Sequence, residues 1–419
     1  MEIHDMPKNL RTKLKVAGFL VPLLACSAQS ALAQSALDCG LNNGEKASGD
    51  PIVLGAIVGK TGPDDFSASA SAAAAYFKCV NDNGGIHGRP VEYVVVDDQW
   101  NPKKAAELAT YLIEKRKVLG MVGSSSFVEC SANAKRYASN GILAIAGSGV
   151  PRDCFHSSGY VPLNIGPRLS STIAAMHAAK AGKVSKMVCV IPNIPGLGDW
   201  ACGGVQAWGK KNGISVQILT IDPANFSAKD VMTRAADGSP DVIVLNLSKG
   251  LLLPMMAVAQ QMDLGKSIRF VSSAPAYSTD VAKRLGDYWK GRFHANLEFM
   301  PTNHTGADSR NWVAVMDRYA QNTDSRDAFS QSGYLAARLV TQVLLKSDAK
   351  NINRASLTKA LQNVKSFQSD ILCKPFSVGA ASRHNANISG PMAQFNGQGW
   401  DLLQGGCVTA ADPELADLR

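Results

Sequence analysis

Two short runs of small, hydroxyl-bearing residues are the best candidates for chemistry in this chain: Gly123-Ser124-Ser125-Ser126 and Ala146-Gly147-Ser148-Gly149. Each follows an apolar, β-prone stretch, and the first runs into a helical one. A loop between the carboxyl end of a parallel strand and the start of a helix offers free backbone N–H groups and a positive dipole end. That combination suits a carboxylate. Serine hydroxyls placed there both donate and accept. Taken singly, each run serves equally well as a turn with an N-cap. Two such loops leaving neighbouring strands favour a shared pocket.

Other chemistries lack their residues. Ser148 has Ala146 two positions before it, so the G-x-S-x-G nucleophile elbow is absent. Gly196-Leu197-Gly198 is followed next by Gly203, which is not the dinucleotide fingerprint, and a strand-to-helix turn accounts for it. The seven histidines are dispersed and no C-x-x-C pair occurs, so neither a metal site nor a cofactor is expected. Asp97-Asp98 reads as a solvated turn capping the next helix, with an acid or metal pair as the alternative. No nucleophile, base and acid stand at a recognisable spacing, so the chain is not expected to be an enzyme. The net charge of +9 would permit nucleic-acid binding, but the basic residues are scattered. The densest group, Lys115-Arg116-Lys117, suits a helix end, and no nucleic-acid partner is expected.

The first 33 residues read as a secretory signal peptide. Lys8, Arg11, Lys13 and Lys15 precede a short apolar stretch, and Ala31-Leu32-Ala33 supplies the cleavage site. Cleavage after Ala33 is expected. Leu23-Leu24-Ala25-Cys26 offers the alternative of a lipid anchor at Cys26. The destination is then periplasmic or secreted. Cysteine usage agrees, because eight remain beyond the leader and an even count outside the cytoplasm suggests disulfides. Cys130 and Cys154 each follow one of the serine-bearing loops, and adjacent parallel strands would bring them together. Cys373 with Cys407 would tie the tail. Cys39–Cys79 and Cys189–Cys202 are what remains by elimination, and connectivity is not fixed by sequence.

Hydrophobic content of 46% against 18% charged describes a packed chain, and 419 residues suffice for two domains. After a polar leader at 34–50, strands and helices alternate. Strands are predicted at 52–58, 91–96, 118–122 and 142–146, with helices at 68–81, 102–117 and about 127–139. A second cycle follows over 170–272, and helices are predicted near 309–321, 329–345 and 354–364. The tail from 376 has short strands and Gly turns. This rhythm implies α/β architecture, with doubly wound parallel sheets.

Five stretches resemble the branched-chain amino-acid-binding type of periplasmic solute-binding proteins, which serve ATP-driven importers. They are Gly55-Ala56-Ile57-Val58 with Thr61-Gly62-Pro63, the helix exit Asn81-Asp82-Asn83-Gly84-Gly85-Ile86-His87-Gly88-Arg89, Asp97-Asp98-Gln99, Lys104-Ala105-Ala106, and 118–126. The resemblance implies two doubly wound lobes joined by a three-strand hinge, the type I periplasmic binding fold. Lobe 1 would hold 50–165 plus 300–366, lobe 2 would hold 166–299 plus 367–411, and 412–419 would be a tail. It also implies a small-molecule ligand caught between the lobes by a monomeric protein and passed to a membrane permease. Ser124 and Ser148 would receive the ligand's carboxylate, with Ser125 and Gly147 beside them in the ligand site. Leu197 stands where the family's flanking tyrosine belongs. The acid that holds an α-ammonium is missing, its place taken by Ser273-Ala274-Pro275-Ala276. A small carboxylate without that amine is therefore expected, against an apolar wall drawn from Phe66, Phe127, Leu197, Trp200 and Tyr277. The alternatives are a ligand-sensing domain of a signalling system, or a binder of an amino acid or amide with Asp199 supplying the acid.

Overall fold

Residues 37–62 and 64–415 are described by a computed structural model of the chain. The expected signal segment, its cleavage after Ala33 and Cys26 lie outside these residues. The first sheet contains β1 (Ile52–Val58), β2 (Val91–Asp97), β3 (Met121–Val122), β4 (Ala144–Ala146) and β5 (Tyr160–Pro162). All five run parallel, in the order β2-β1-β3-β4-β5. In β1 the residues Ile52, Leu54, Ala56, Ile57 and Val58 are all buried, as expected for a strand covered on both faces. The covering helices are α1 (Ala68–Asp82), α2 (Pro102–Thr110), α3 (Glu129–Ser139) and α4 (Arg152–Phe155). Pro102 occupies the first turn of α2, and the Asn101 side chain accepts from the N–H groups of Lys103 and Lys104. A π-helical turn at Tyr111–Lys115 prolongs α2 to nearly its expected end.

The second sheet repeats the plan. Helix α5 (Gly166–Lys180) leads to β6 (Lys186–Pro192), followed by α6 (Gly198–Lys211), β7 (Ser215–Ile221), α7 (Ala228–Ala236) and β8 (Val242–Leu245). Then come α8 (Lys249–Gln261), β9 (Arg269–Ser272), α9 (Thr279–Leu285) and β10 (Phe293–Asn296). The parallel order is β7-β6-β8-β9-β10. Helices α10 (Ala307–Tyr319), α11 (Ala328–Lys346) and α12 (Arg354–Gln362) return to the first sheet's layer. Trp312, Met316, Tyr334 and Leu339 share one apolar core with Ala72, Phe77 and Val80 of α1. The tail adds β11 (Ser389–Gly390), β12 (Met392–Phe395), β13 (Trp400–Leu402) and β14 (Val408–Thr409). β12 is antiparallel to both β10 and β13, and β11 to β14.

Short elements depart from the sequence reading: β5, α4 and α9 were not anticipated. Helix α5 starts at Gly166, with Pro167 in its first turn, rather than at 170. Phe367, Ile371, Leu372, Phe376 and Val378 lie in the core that holds α1 and α11. The stretch expected to enter the second lobe at 367 thus stays with the first sheet's layer through Val378. The expected tail is not loose up to 415. Asp412 accepts from Arg168 Nε at 3.0 Å, and Glu414 accepts from Arg152 Nε at 2.7 Å and Trp200 Nε1 at 2.9 Å. Arg152 follows β4, whereas Arg168 and Trp200 lie on α5 and α6, so this strap touches the surroundings of both sheets.

All four expected disulfides are formed: Cys39–Cys79, Cys130–Cys154, Cys189–Cys202 and Cys373–Cys407. Among the described residues, no helix is long and apolar enough to cross a membrane.

Candidate functional site

A parallel sheet ordered 2-1-3-4-5 has its topological switch between β1 and β3, and ligands bind beyond the carboxyl ends of strands at such a point. The segments there are 59–62 and 64–66 after β1 and 123–128 after β3, with 147–151 beside them after β4. Ser125 forms isolated β-bridges with both Val58 and Ser148, which sets the three loops edge to edge. The N–H groups of Gly147 and Ser148 donate to the Ser124 carbonyl at 2.9 and 3.3 Å. Gly147 itself is a close approach: a Cβ there would lie 1.9 Å from Ser69 Oγ and 2.9 Å from Ser332 Oγ.

The three successive serines have different tasks. Ser124 Oγ is turned inward, accepting from the Ile57 N–H at 3.1 Å and donating to Glu129 Oε1 at 3.0 Å. Ser126 Oγ donates to Asp98 and accepts from the N–H groups of Val128 and Glu129 at the entry to α3. Ser125 Oγ is buried and has no hydrogen-bond partner. The Ser124 hydroxyl, expected to meet the carboxylate, is instead committed to the protein interior. Glu129 beneath it also accepts from Tyr137 at 2.8 Å and Tyr160 at 3.0 Å. Burial pushes its carboxyl up to about 8, against the lowering effect of these hydrogen bonds.

Phe66 and Phe127 do meet, and they bring two aromatic residues that the sequence reading missed. Trp100 stacks on Phe127 with ring centroids 4.5 Å apart. Phe66 lies 5.1 Å from Phe127, 5.4 Å from Phe329 and 5.6 Å from Trp100. All four rings are half-buried at the edge that carries the serine loops. Trp100 is delivered by backbone strain, since Gln99 and Trp100 have φ of 56° and 59°, in the left-handed region. The aspartate pair holds this turn: Asp97 accepts from the N–H groups of Lys60, Thr61 and Gln99, and Asp98 from that of Trp100. Trp100 Nε1 donates to the Asp64 carbonyl at 3.1 Å. A Cβ on Gly62 would come within 2.5 Å of the indole, so the 59–62 turn needs glycine to accommodate it. The signal for Trp100 was its place one residue beyond the Asp97-Asp98 pair, across Gln99, in the turn that the pair holds. Phe329 comes from the first turn of α11 and had no local signal.

The remaining candidates lie elsewhere. Leu197 is buried in an apolar core. Trp200 packs on Phe155 at 5.5 Å, beneath Arg168, with its indole N–H on Glu414. Neither belongs to the ring cluster. Tyr277 is half-buried beyond β9, tilted against Trp400 at 5.9 Å, and its hydroxyl accepts from the Thr302 N–H at 3.4 Å. At the end of β9 the run 273–276 presents no carboxylate, and Ser273 Oγ is buried without a partner. Asp199 is exposed in the first turn of α6.

Glu298 follows β10, where the chain crosses back toward the first sheet's layer. Its Oε1 accepts from Asn164 Nδ2 at 3.1 Å and from the Gly166 N–H at 2.9 Å. Two hollows, of about 450 and 440 Å³, are lined by residues such as Val343 and Phe367 in one and Asp308 and Cys373 in the other, and none of the serine loops borders either. Among the described residues, no group of three or more His, Cys, Asp or Glu is placed to hold a metal ion.

Residues 51–399 match the model of a family described as periplasmic binding protein. No curated protein matches the chain in sequence. Solved structures share its fold. One is a solute binding protein of an ABC transporter from Rhodopseudomonas palustris BisB5 in complex with 3,4-dihydroxybenzoic acid. It is 20% identical, with a TM-score of 0.73 over 87% of this chain and 99% of that one. An R. palustris solute binding protein in complex with benzoate is 19% identical, with a TM-score of 0.70 over 88% and 99%. A branched-chain amino acid ABC transporter structure from Thermus thermophilus with bound valine is 14% identical, with a TM-score of 0.74 over 87% and 98%.

Proposed function

The chain belongs to the periplasmic binding protein family, and from that premise we propose that it captures an aromatic carboxylate without an α-amine and delivers it to the permease of an ABC importer. The observation that carries this reading is the juxtaposition of the four-ring cluster with the unpartnered Ser125 hydroxyl and the loop carrying Ser148. The rings supply an apolar, π-bearing wall. The Ser125 hydroxyl supplies a donor for a carboxylate, close to the positive dipole end of α3. An α-ammonium would have no carboxylate at 273–276 to meet it, and burying an unpaired charge costs several kcal/mol. Relatives of the same fold hold benzoate and 3,4-dihydroxybenzoic acid, while another holds valine, so both ligand classes belong in the test.

Calorimetric titration with benzoate, 4-hydroxybenzoate, leucine and glutamate makes the comparison. The aromatic acids should bind at least about 100-fold more tightly than the amino acids, a gap of roughly 2.8 kcal/mol. Phe329→Ala should weaken the aromatic acids about tenfold. Tight leucine or glutamate binding with no response to the aromatic acids would overturn the ligand assignment.

A further inference from the structure

We propose that Glu298 is a positioning residue for ligand capture: lodged where the three crossing segments meet, it fixes the 147–149 loop through Asn164. The inference rests on the ligand-capture function proposed above. The first crossing gives Glu298 two contacts and the third gives it one. From the first, the Asn164 side chain and the Gly166 N–H donate to Glu298 Oε1 at 3.1 and 2.9 Å. Glu298 itself lies on the second. From the third, Asn387 Nδ2 donates to the Glu298 carbonyl at 3.0 Å.

Asn164 then clamps both backbone groups of Gly149. Its Oδ1 accepts from the Gly149 N–H at 2.8 Å, and its Nδ2 donates to the Gly149 carbonyl at 3.1 Å. Gly149 follows Ser148, whose N–H is held by Ser124, the neighbour of the unpartnered Ser125. Hydrogen bonds, joined by the peptide link between Ser148 and Gly149, thus run from the crossings to the serine loops. Asn164 and Glu298 are 5% and 8% exposed, so water competes little for these bonds.

The plain alternative is a buried acid whose hydrogen bonds are satisfied and which does nothing more. A glutamine would accept the same two bonds without the cost of burying an ionisable group, so retaining the acid makes sense where its proton matters. Burial pushes the Glu298 carboxyl up to about 7, against the Gly166 and Asn164 hydrogen bonds, and no charged side chain contributes. The groups facing it, Asn164, Gly166 and Asn387, are all uncharged. This arrangement therefore favours the protonated acid. An arrangement that opens the crossings to water returns the carboxyl toward its ordinary value. Protons thus favour the arrangement described here, and ionisation as pH rises through about 7 favours opening.

Three forms of the full chain decide it: wild type, Glu298→Gln, which keeps the acceptor oxygen and stays neutral, and Glu298→Ala. Amide exchange of 147–152, corrected for its intrinsic pH dependence, needs no ligand. Between about pH 6 and about pH 8.5 it should rise about fivefold or more in wild type and stay flat in Glu298→Gln. Glu298→Ala should exchange fast at both pH values. In parallel, wild-type affinity for benzoate should fall about fivefold over that range, and that of Glu298→Gln should hold. Glu298→Gln tracking wild type, or Glu298→Ala leaving the segment's protection unchanged, overturns the proposal. Benzoate failing to bind any form counts against the aromatic-carboxylate reading, and the exchange data still decide the role of Glu298.

Discussion

Ser124 and Ser125 are adjacent and chemically identical, yet their replacement should have opposite consequences. Ser124→Ala leaves the Ile57 N–H and Glu129 each short of a buried partner, at a cost of about 1–3 kcal/mol in urea unfolding. Ser125→Ala removes a hydroxyl that bonds nothing in the protein. It should shift stability by less than about 0.5 kcal/mol while lowering aromatic-carboxylate affinity about tenfold. The reverse pattern would place the ligand hydroxyl at 124. The sequence located these serines at a strand end but did not say which one faces a ligand. The deciding fact is that the loop keeps the alternation of a strand: Ser125 bridges to Val58 and Ser148, so Ser124 and Ser126 turn the other way, toward Glu129 and Asp98. That register depends on pairing with two other loops, which a single segment does not encode.

The Cys130–Cys154 bridge joins the first turn of α3 to α4, close behind the two serine loops. Cys130→Ser with Cys154→Ser should cost about 2–4 kcal/mol in denaturant unfolding, in keeping with the 24-residue separation it spans. Amide exchange at 152–156 should increase most. A loss spread evenly over the chain would argue that the bridge does not specifically hold this corner. Its pairing was legible because strand order alone brings the two loops together. The long elements were legible too: seven-residue apolar strands such as β6 and helices such as α11 show their period clearly. Elements of three or four residues, such as β5 and α4, contain too few positions to show one. Phe329 was missed for a related reason. It belongs to a helix correctly expected, but only the packing of α11 on α1 carries its ring to Phe66.

Across the whole molecule, the strap at 410–415 is the feature that the alternating pattern hid, because it has no periodicity and takes its meaning from contacts some 200 to 260 positions earlier in the chain. Glu414 reaches Arg152 and His156 near the first sheet and Trp200 near the second. Such half-exposed ion pairs contribute at most about 1 kcal/mol to stability. Glu414→Ala should therefore unfold nearly like wild type. Freed from that tie, the two sheet layers should separate further on average, with a larger radius of gyration in small-angle scattering and a changed Trp200 emission. Identical scattering from both proteins would refute a restraining role. The tight meeting of Ser69, Gly147 and Ser332, three residues from distant parts of the chain, has a consequence for how this pocket can evolve. A side chain at 147 would collide with both hydroxyls at once, so a single substitution there is closed to natural variation. New ligand preferences have to arise through the ring positions 66, 127 and 329, where side chains can be exchanged one at a time, and a saturation library should recover diversity there and only glycine at 147.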